Sequence, residues 1–359
     1  MPHLEHLEIG FGAQQAANQT IEERDLSVPR CFETCPKLKV LISAWTNVLP
    51  YISNPAGHPL VQLIHLNLKV TMRVSPSLIW NVVSSAPNLE RLSLHVLGPW
   101  DSIIDMLPAS DIHLQSLRYL DVFDLQIAQM LSVAAGAISV PALTFLRVRA
   151  LALGALRPFI ELRCANVMKL TLIGDVSIHA CSDLQPLRRL RHIEFSRGTV
   201  EDALFKALVV PSLSVGGTAT EWSLPKLERI SFDQIKFTPE PNSVAAFLRA
   251  RNNASLAVID GVHSPSKISS VAFIGELCDW LVAEVGLLLG HELDFDQEVA
   301  STIDGRSDSE CSSAEFTDGT EETSEEGLSE DETGGESDED DSSYVPSDEY
   351  DHDEDRGAD

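Results

Sequence analysis

The sequence predicts an α/β solenoid with a parallel sheet along one side, irregular repeats, and a disordered C-terminal tail. Three observations predict it: an apolar phrase of the form L-x-x-L-x-L recurs along the chain, its copies are nearly evenly spaced, and the acidic residues crowd together after the last copy.

The phrase reads Leu4-Leu7-Ile9, Leu63-Leu66-Leu68, Leu89-Leu92-Leu94, Leu117-Leu120-Val122, Leu143-Leu146-Val148, Val167-Leu170-Leu172, Leu190-Ile193-Phe195 and Leu227-Ile230-Phe232. Two degraded copies are Leu38-Leu41-Ser43 and Leu256-Ile259. Successive first positions lie 34, 25, 26, 28, 26, 24, 23, 37 and 29 residues apart. The central spacings fall in or near the range of leucine-rich repeats, about 20–29 residues. The last two apolar positions alternate as a short strand does with one face inward, and the first anchors its approach. Pro2, Pro36, Pro87, Pro141 and Pro225 each stand two residues ahead of a phrase. A proline there ends the preceding helix and fixes an extended entry.

Helices are expected between the strands. Pro76 to Ala86 follows Ser75, with Leu78, Ile79, Val82 and Val83 at helical spacing; Gln126 to Ile138 carries Ile127, Met130, Leu131 and Ala134 in the same way. Thr199 followed by Asp202 resembles a capping box leading into Leu204, Phe205 and Leu208. Neither strand nor helix can bury its apolar side alone, so the units are expected to stack around one core. Polar residues 10–30, and residues 211–224 with Gly216, Gly217 and Trp222, read as insertions. The apolar run from Val271 to Leu289 is interrupted by Glu276, Asp279 and Glu284, which gather on one side of a helical projection. A helix over 269–289 is therefore expected as a C-terminal cap. The expected organisation is repeats over 1–265, a capping helix and linker over 266–300, and a tail over 301–359.

Net charge belongs to that tail. The chain carries −28 overall, and from Asp304 onward 24 acidic residues stand against two arginines. So little apolar content cannot offset ordering entropy, and disorder is expected. Ser307, Ser312, Thr323, Ser329 and Ser337 each have an acid three residues on, a pattern acidophilic kinases use and one that arises by chance in so acidic a segment.

The strand residues that alternate with the buried positions define a candidate partner-binding face. Its expected members are Lys69, Arg91, Tyr119, Asp121, Phe123, Phe145, Arg147, Arg149, Lys169 and His192. Over the strands from His65 to Asp233, six Lys or Arg face three Asp or Glu on this side, so it leans basic. Aromatic anchors beside arginine are the composition of binding hot spots. An alternative reading wedges Phe123 and Phe145 between neighbouring repeats.

Phrases such as Ala86-Pro87-Asn88-Leu89-Glu90-Arg91-Leu92-Ser93-Leu94 and Leu224-Pro225-Lys226-Leu227-Glu228-Arg229-Ile230-Ser231-Phe232 resemble the repeats of fungal F-box and leucine-rich-repeat proteins. The resemblance covers roughly residues 1–265. It implies the target-binding region of a substrate receptor in an SCF-type ubiquitin ligase, where an F-box docks on a Skp-type adaptor. Here Met1 opens directly into the first phrase, so that adaptor is expected only if an F-box is missing from this sequence. The Asn or Cys that the family often places after the strand is replaced by Leu97, Leu125 and Asp175. The alternative function is a free-standing leucine-rich-repeat scaffold, or an acidic histone-chaperone-like binding protein.

Other classes lack their signatures. There is no phosphate-cradling glycine loop, no G-x-S-x-G elbow and no H-E-x-x-H helix, so neither catalysis nor a cofactor is expected. Cys31 and Cys35 have no second pair and His3 with His6 is too thin a set, so no metal is expected. The tail lacks a calcium-binding loop. Overall acidity argues against nucleic acid. The six scattered cysteines fit a reducing compartment, and the N-terminus shows no signal peptide, so a monomer in cytoplasm or nucleus, apart from membranes, is expected.

Overall fold

Nine of the phrases fold as strands of one sheet, and a tenth strand lies farther along the chain than the phrase count expects. The computed structural model describes residues 3–9, 37–43, 60–70, 75–96, 106–209, 212–213, 220–237, 242–256, 264–275 and 279–290. The strands are β1 His6–Ile9, β2 Val40–Ser43, β3 His65–Val70, β4 Arg91–Val96, β5 Ile112–His113, β6 Tyr119–Val122 and β7 Ile138–Ser139. They continue with β8 Phe145–Arg149, β9 Lys169–Ile173, β10 His192–Val200, β11 Ser212–Leu213, β12 Thr220–Glu221, β13 Arg229–Phe237 and β14 Ser270–Ile274. The main sheet runs β1-β2-β3-β4-β6-β8-β9-β10-β13-β14, entirely parallel and in chain order. Two short pairs stand apart: β5 with β7, parallel, and β11 with β12, antiparallel.

The chain divides into two units, Met1–Thr302 and Ile303–Asp359. The second lies outside the described residues, and with it the expected tail and Ser307, Ser312, Thr323, Ser329 and Ser337. The insertion over 10–30 is also outside them.

The leucines of the phrase earn their places through one repeated backbone bond. The carbonyl after each first apolar position accepts two successive amides from the approach to the next strand. Glu90 O takes Arg118 N at 2.9 Å and Tyr119 N at 3.0 Å; Arg118 O takes Thr144 N at 3.1 Å and Phe145 N at 2.9 Å. Glu5, Lys39, Ile64, Thr144, Met168, Arg191 and Glu228 do the same. Asn88 and Asn166 add side-chain bonds back to the carbonyls of Val61 and Pro141, at 2.8 and 2.9 Å.

Helices occupy the connections: α1 Pro76–Ser84, α2 Leu125–Val133, α3 Ala150–Arg163, α4 Ala180–Leu184, α5 Asp202–Val209, α6 Asn242–Leu256 and α7 Asp279–Leu289. Their apolar sides join the inward strand residues in one cluster that includes Leu66, Ile79, Leu120, Met130, Leu146, Phe159, Leu170, Leu204 and Phe247. Ser75 caps α1 by accepting from Ser77 N. The helix expected over 126–138 is shorter: α2 stops at Val133, a 3-10 turn follows over Ala134–Gly136, and Ile138 enters β7. Thr199 is no helix cap. It lies within β10, and its N and Oγ1 both donate to Asp175 Oδ1, at 2.8 and 2.7 Å.

The C-terminal expectation needs the larger correction. Leu256 ends α6 with 82% of its surface exposed, so it is not the buried first position of a phrase, and Ile259 lies outside the described residues. The tenth strand is β14, whose phrase is Ile268-Val271-Phe273, all buried. Ser269 N and Ser270 N complete the carbonyl ladder on Glu228 O. The cap expected over 269–289 is thus a strand followed by a separate helix, α7, and the sheet runs past the 265 boundary.

Four neighbouring strands bend at one register. Ile173, Ser196, Asp233 and Ile274 are paired in succession, and the next residue of each, Gly174, Arg197, Gln234 and Gly275, has positive φ. Gly198 follows this bend under the backbone of Gly174: a Cβ there would sit 2.3 Å from the Gly174 carbonyl carbon, so only hydrogen fits.

Candidate partner-binding face

Side chains alternate along each strand, so the positions between the buried leucines form rows across the opposite face. The first row is His65, Arg91, Tyr119, Phe145, Lys169, His192 and Arg229, each the register partner of the next. The second is Asn67, Ser93, Asp121, Arg147, Thr171, Glu194 and Ser231. Lys69 pairs with His95 in a third row, which Arg149 continues; Phe123, just past β6, falls between His95 and Arg149.

The structure brings Tyr119, Asp121, Phe123, Phe145, Arg147, Arg149 and Lys169 together, with Arg91 beside Tyr119 and His192 beside Lys169. Lys69 stands farther along, on β3. Tyr119 meets Phe145 edge-on, ring centres 4.6 Å apart, and Lys169 Nζ lies 5.0 Å over Phe145. Lys169 also reaches Glu194 Oε2 at 3.0 Å. His95 stacks on Phe123 at 4.7 Å, and the Arg149 guanidinium lies 5.3 Å over the same ring. Phe123 and Phe145 thus touch neighbours on both adjoining strands while remaining on this face.

Asp121 departs from the expectation of an exposed contact residue. It is 4% exposed, sunk between the taller side chains of the flanking rows. Its Oδ2 stands 3.8 Å from His95 Nε2 and 3.9 Å from Arg147 Nη1, both too long for hydrogen bonds. Its Oδ1 has no hydrogen-bond partner, and neither do Thr171 Oγ1 and Asn67 Oδ1 in the same row. Burial, reinforced by Asp121, pushes the Tyr119 phenol up. Burial would lower Arg147, but Asp121 and Tyr119 outweigh it and hold the guanidinium firmly charged.

Asp124 is a neighbour that sequence reasoning overlooks. An Asp ahead of a helix reads as an N-cap. Here it makes no side-chain cap for α2 and instead accepts from Val96 N on β4, while burial raises its carboxyl.

His192 Nε2 lies 2.8 Å from Ser231 Oγ, and its imidazole is driven down to about 4 by burial first and Lys169 second. The unfolded ring, with a pKa of about 6.5, therefore takes up a proton before the folded one as pH falls. Stability present at pH 7 is lost between about 6.5 and 4 and does not fall further from this group below that window. Because the ring keeps some solvent contact, the loss is expected to be about 1–2 kcal/mol, less than the full shift implies. Urea midpoints at pH 7 and pH 4.5 should show it, and His192→Gln should lose less than the parent over the same interval. An equal loss in both proteins would assign the effect to other groups.

Among the described residues no cluster of His, Cys, Asp and Glu has the arrangement of a metal site, and no helix is long and apolar enough to cross a membrane. Burial drives the Cys164 thiol far up and raises the half-buried Cys181. Cys31, Cys35, Cys278 and Cys311 lie outside the described residues. No protein-family model matches the chain, and no curated protein matches its sequence.

Proposed function

We propose that the chain is a leucine-rich-repeat solenoid that binds a protein partner on the sheet face turned away from its core. One observation carries this reading: aromatic and cationic side chains, Arg91, Tyr119, Phe145, Arg147, Arg149 and Lys169, stand in register on adjacent strands where a core-forming sheet needs no such residues. Rigid aromatics beside arginine concentrate binding energy because they offer large contact area at low entropic cost. The carbonyl ladder supports the solenoid, since each repeat makes the same bonds to the next.

By the resemblance of its repeats, the function is target recognition within a ubiquitin-ligase substrate receptor, with repeats over 1–265 extended by β14. The 24 acidic residues from Asp304 onward favour a second reading, a free-standing scaffold or an acidic histone-chaperone-like protein. Both use the same face and neither requires catalysis.

A photo-reactive amino acid tests it directly. Placed at Tyr119 or Phe145 in the full chain, in cells that express the protein, it should yield a discrete cross-linked partner. Placed at exposed Leu151 or Leu162 on α3, it should not. Adducts from α3 positions alone would defeat the proposal. Co-purification of a Skp-type adaptor or of histones with that adduct separates the two readings.

A further inference from the structure

We propose that this face recognises an acidic, extended peptide segment, a step that rests on the protein-binding reading above and names the partner's chemistry. The local charge is opposite to that of the whole chain. On strands β3 to β10 the face presents Lys69, Arg91, Arg147, Arg149 and Lys169 against Asp121 and Glu194, the latter paired with Lys169, with Asp124 alongside, in a protein of net charge −28. Arg91 and Arg149 are exposed and form no ion pair among the described residues. Guanidinium forks match carboxylates bidentately.

The second row decides between kinds of anion. Thr171 is 3% exposed and Asp121 4%, and each has a side-chain oxygen with no hydrogen-bond partner on either side of Arg147. A buried carboxylate oxygen calls for a donor. A phosphodiester backbone brings only acceptors along its charged edge and a phospholipid headgroup no repeating N–H donors, whereas an extended peptide brings carboxylates and a row of backbone N–H groups together. Arg147, in long contact with Asp121 at 3.9 Å and hydrogen-bonded to the Tyr119 hydroxyl, exchanges these neighbours for a partner carboxylate and opens Asp121 and Thr171 to the partner's amides. Base stacking is disfavoured because both phenylalanines are already engaged: Phe123 by His95 and Arg149, Phe145 by Tyr119 and Lys169.

Spacing suggests the register. Arg91 and Lys169 are separated by three strand intervals, about 14 Å at the usual separation of neighbouring strands. Carboxylates four residues apart in an extended peptide span about 13 Å. The segment therefore lies across the strands, with acidic residues at i and i+4.

Fluorescence anisotropy of the full chain tests this, using a labelled Glu/Ser peptide with that spacing at low and physiological salt. Comparison probes are a Lys/Ser peptide, a thymidine oligomer and phosphatidylserine vesicles. The Glu/Ser peptide should bind saturably and best. Arg91→Glu combined with Arg149→Glu, at exposed positions, should weaken it about tenfold or more with an unchanged circular dichroism spectrum. Thr171→Val, which changes no charge and little volume, should weaken it about threefold or more. Unchanged affinity in T171V would overturn the proposal, because attraction by charge alone needs no hydroxyl. Preference for the thymidine oligomer, the vesicles or the Lys/Ser peptide would overturn it too. A partner cross-linked at Tyr119 in those cases would leave the protein-binding reading standing, so the two failures are distinguishable.

Discussion

Arg251→Ala is expected to cost about 4 kcal/mol, a large share of the roughly 5–15 kcal/mol that holds a domain folded. Arginine in a helix is ordinarily solvated, but Arg251 on α6 is fully buried. Its guanidinium donates to the carbonyls of Ser266 at 3.2 Å, Ser223 at 3.1 Å and Leu224. Burial lowers its pKa to about 10, so it stays charged at pH 7 with carbonyl dipoles in place of a counter-ion. These carbonyls belong to the approach to β13 and the segment before β14, so one side chain ties α6 to the two final strands. Leu224 sits at φ +53, a conformation disfavoured for leucine, and the bond to its carbonyl helps hold it. Removing the guanidinium takes the charged donor from the Ser223 and Ser266 carbonyls and leaves Leu224 O with the Leu227 amide, and hydrogen bonds from charged donors contribute about 1.5–3 kcal/mol each. Arg251→Lys should recover only part of the loss, because an ammonium cannot reproduce the planar fork. Urea denaturation monitored by circular dichroism measures both; a loss below about 1 kcal/mol in R251A would mean that water reaches those carbonyls freely.

The strands were legible because the phrase states two facts at once, that alternate residues face a core and that each unit resembles the next. Leu92 and Leu94 or Leu170 and Leu172 need no knowledge of their partners to be read inward. What failed to show depends on distant residues. Ile268-Val271-Phe273 obeys the phrase but merges into the apolar run through Leu289, and periodicity cannot find the break that Gly275 makes at φ +112. Helix α3 contains Gly154 and Pro158, both unfavourable in helices. It forms because Leu153, Leu156, Phe159 and Ile160 are buried against the sheet, a tertiary gain that outweighs propensity. At the candidate face, the rows follow from alternation alone, so the membership of Arg91, Tyr119, Phe145, Arg147 and Lys169 could be read directly. The sinking of Asp121 could not: it depends on the bulk of side chains on β4, β8 and the segment after β6. Leu125 leaves its post-strand position without an amide, and Asp124 beside it accepts from Val96 N on β4, while Asp175, at the post-strand position itself, accepts from Thr199 N on β10.

Phe232→Ala is expected to lose about 3–5 kcal/mol. The last apolar position of the phrase is Leu or Val on β4, β6, β8 and β9, then becomes Phe195, Phe232 and Phe273 on β10, β13 and β14. Their rings stack in line, 5.6 and 5.2 Å between centres and within 16° of parallel. Phe205 on α5 closes on Phe195 and Phe232 at 6.0 and 6.1 Å, and Phe247 on α6 meets Phe205 at 5.9 Å. Phe232, 1% exposed, touches three of the other four, so truncating it removes ring contacts on two strands and a helix together. A stacked column is poorly placed to collapse into the gap, because each flanking ring is fixed by its own strand's pairing. Phe232→Leu retains most of the volume and should lose less than half as much. The comparison with Val148→Ala is informative: it truncates the equivalent position on β8, where two methyl groups and no ring contacts are lost, and should cost about 1–2.5 kcal/mol. If F232A and V148A shift the urea midpoint equally, the aromatic column adds nothing beyond burying apolar area, and the stability of the C-terminal strands must come from the backbone ladder and Arg251 alone.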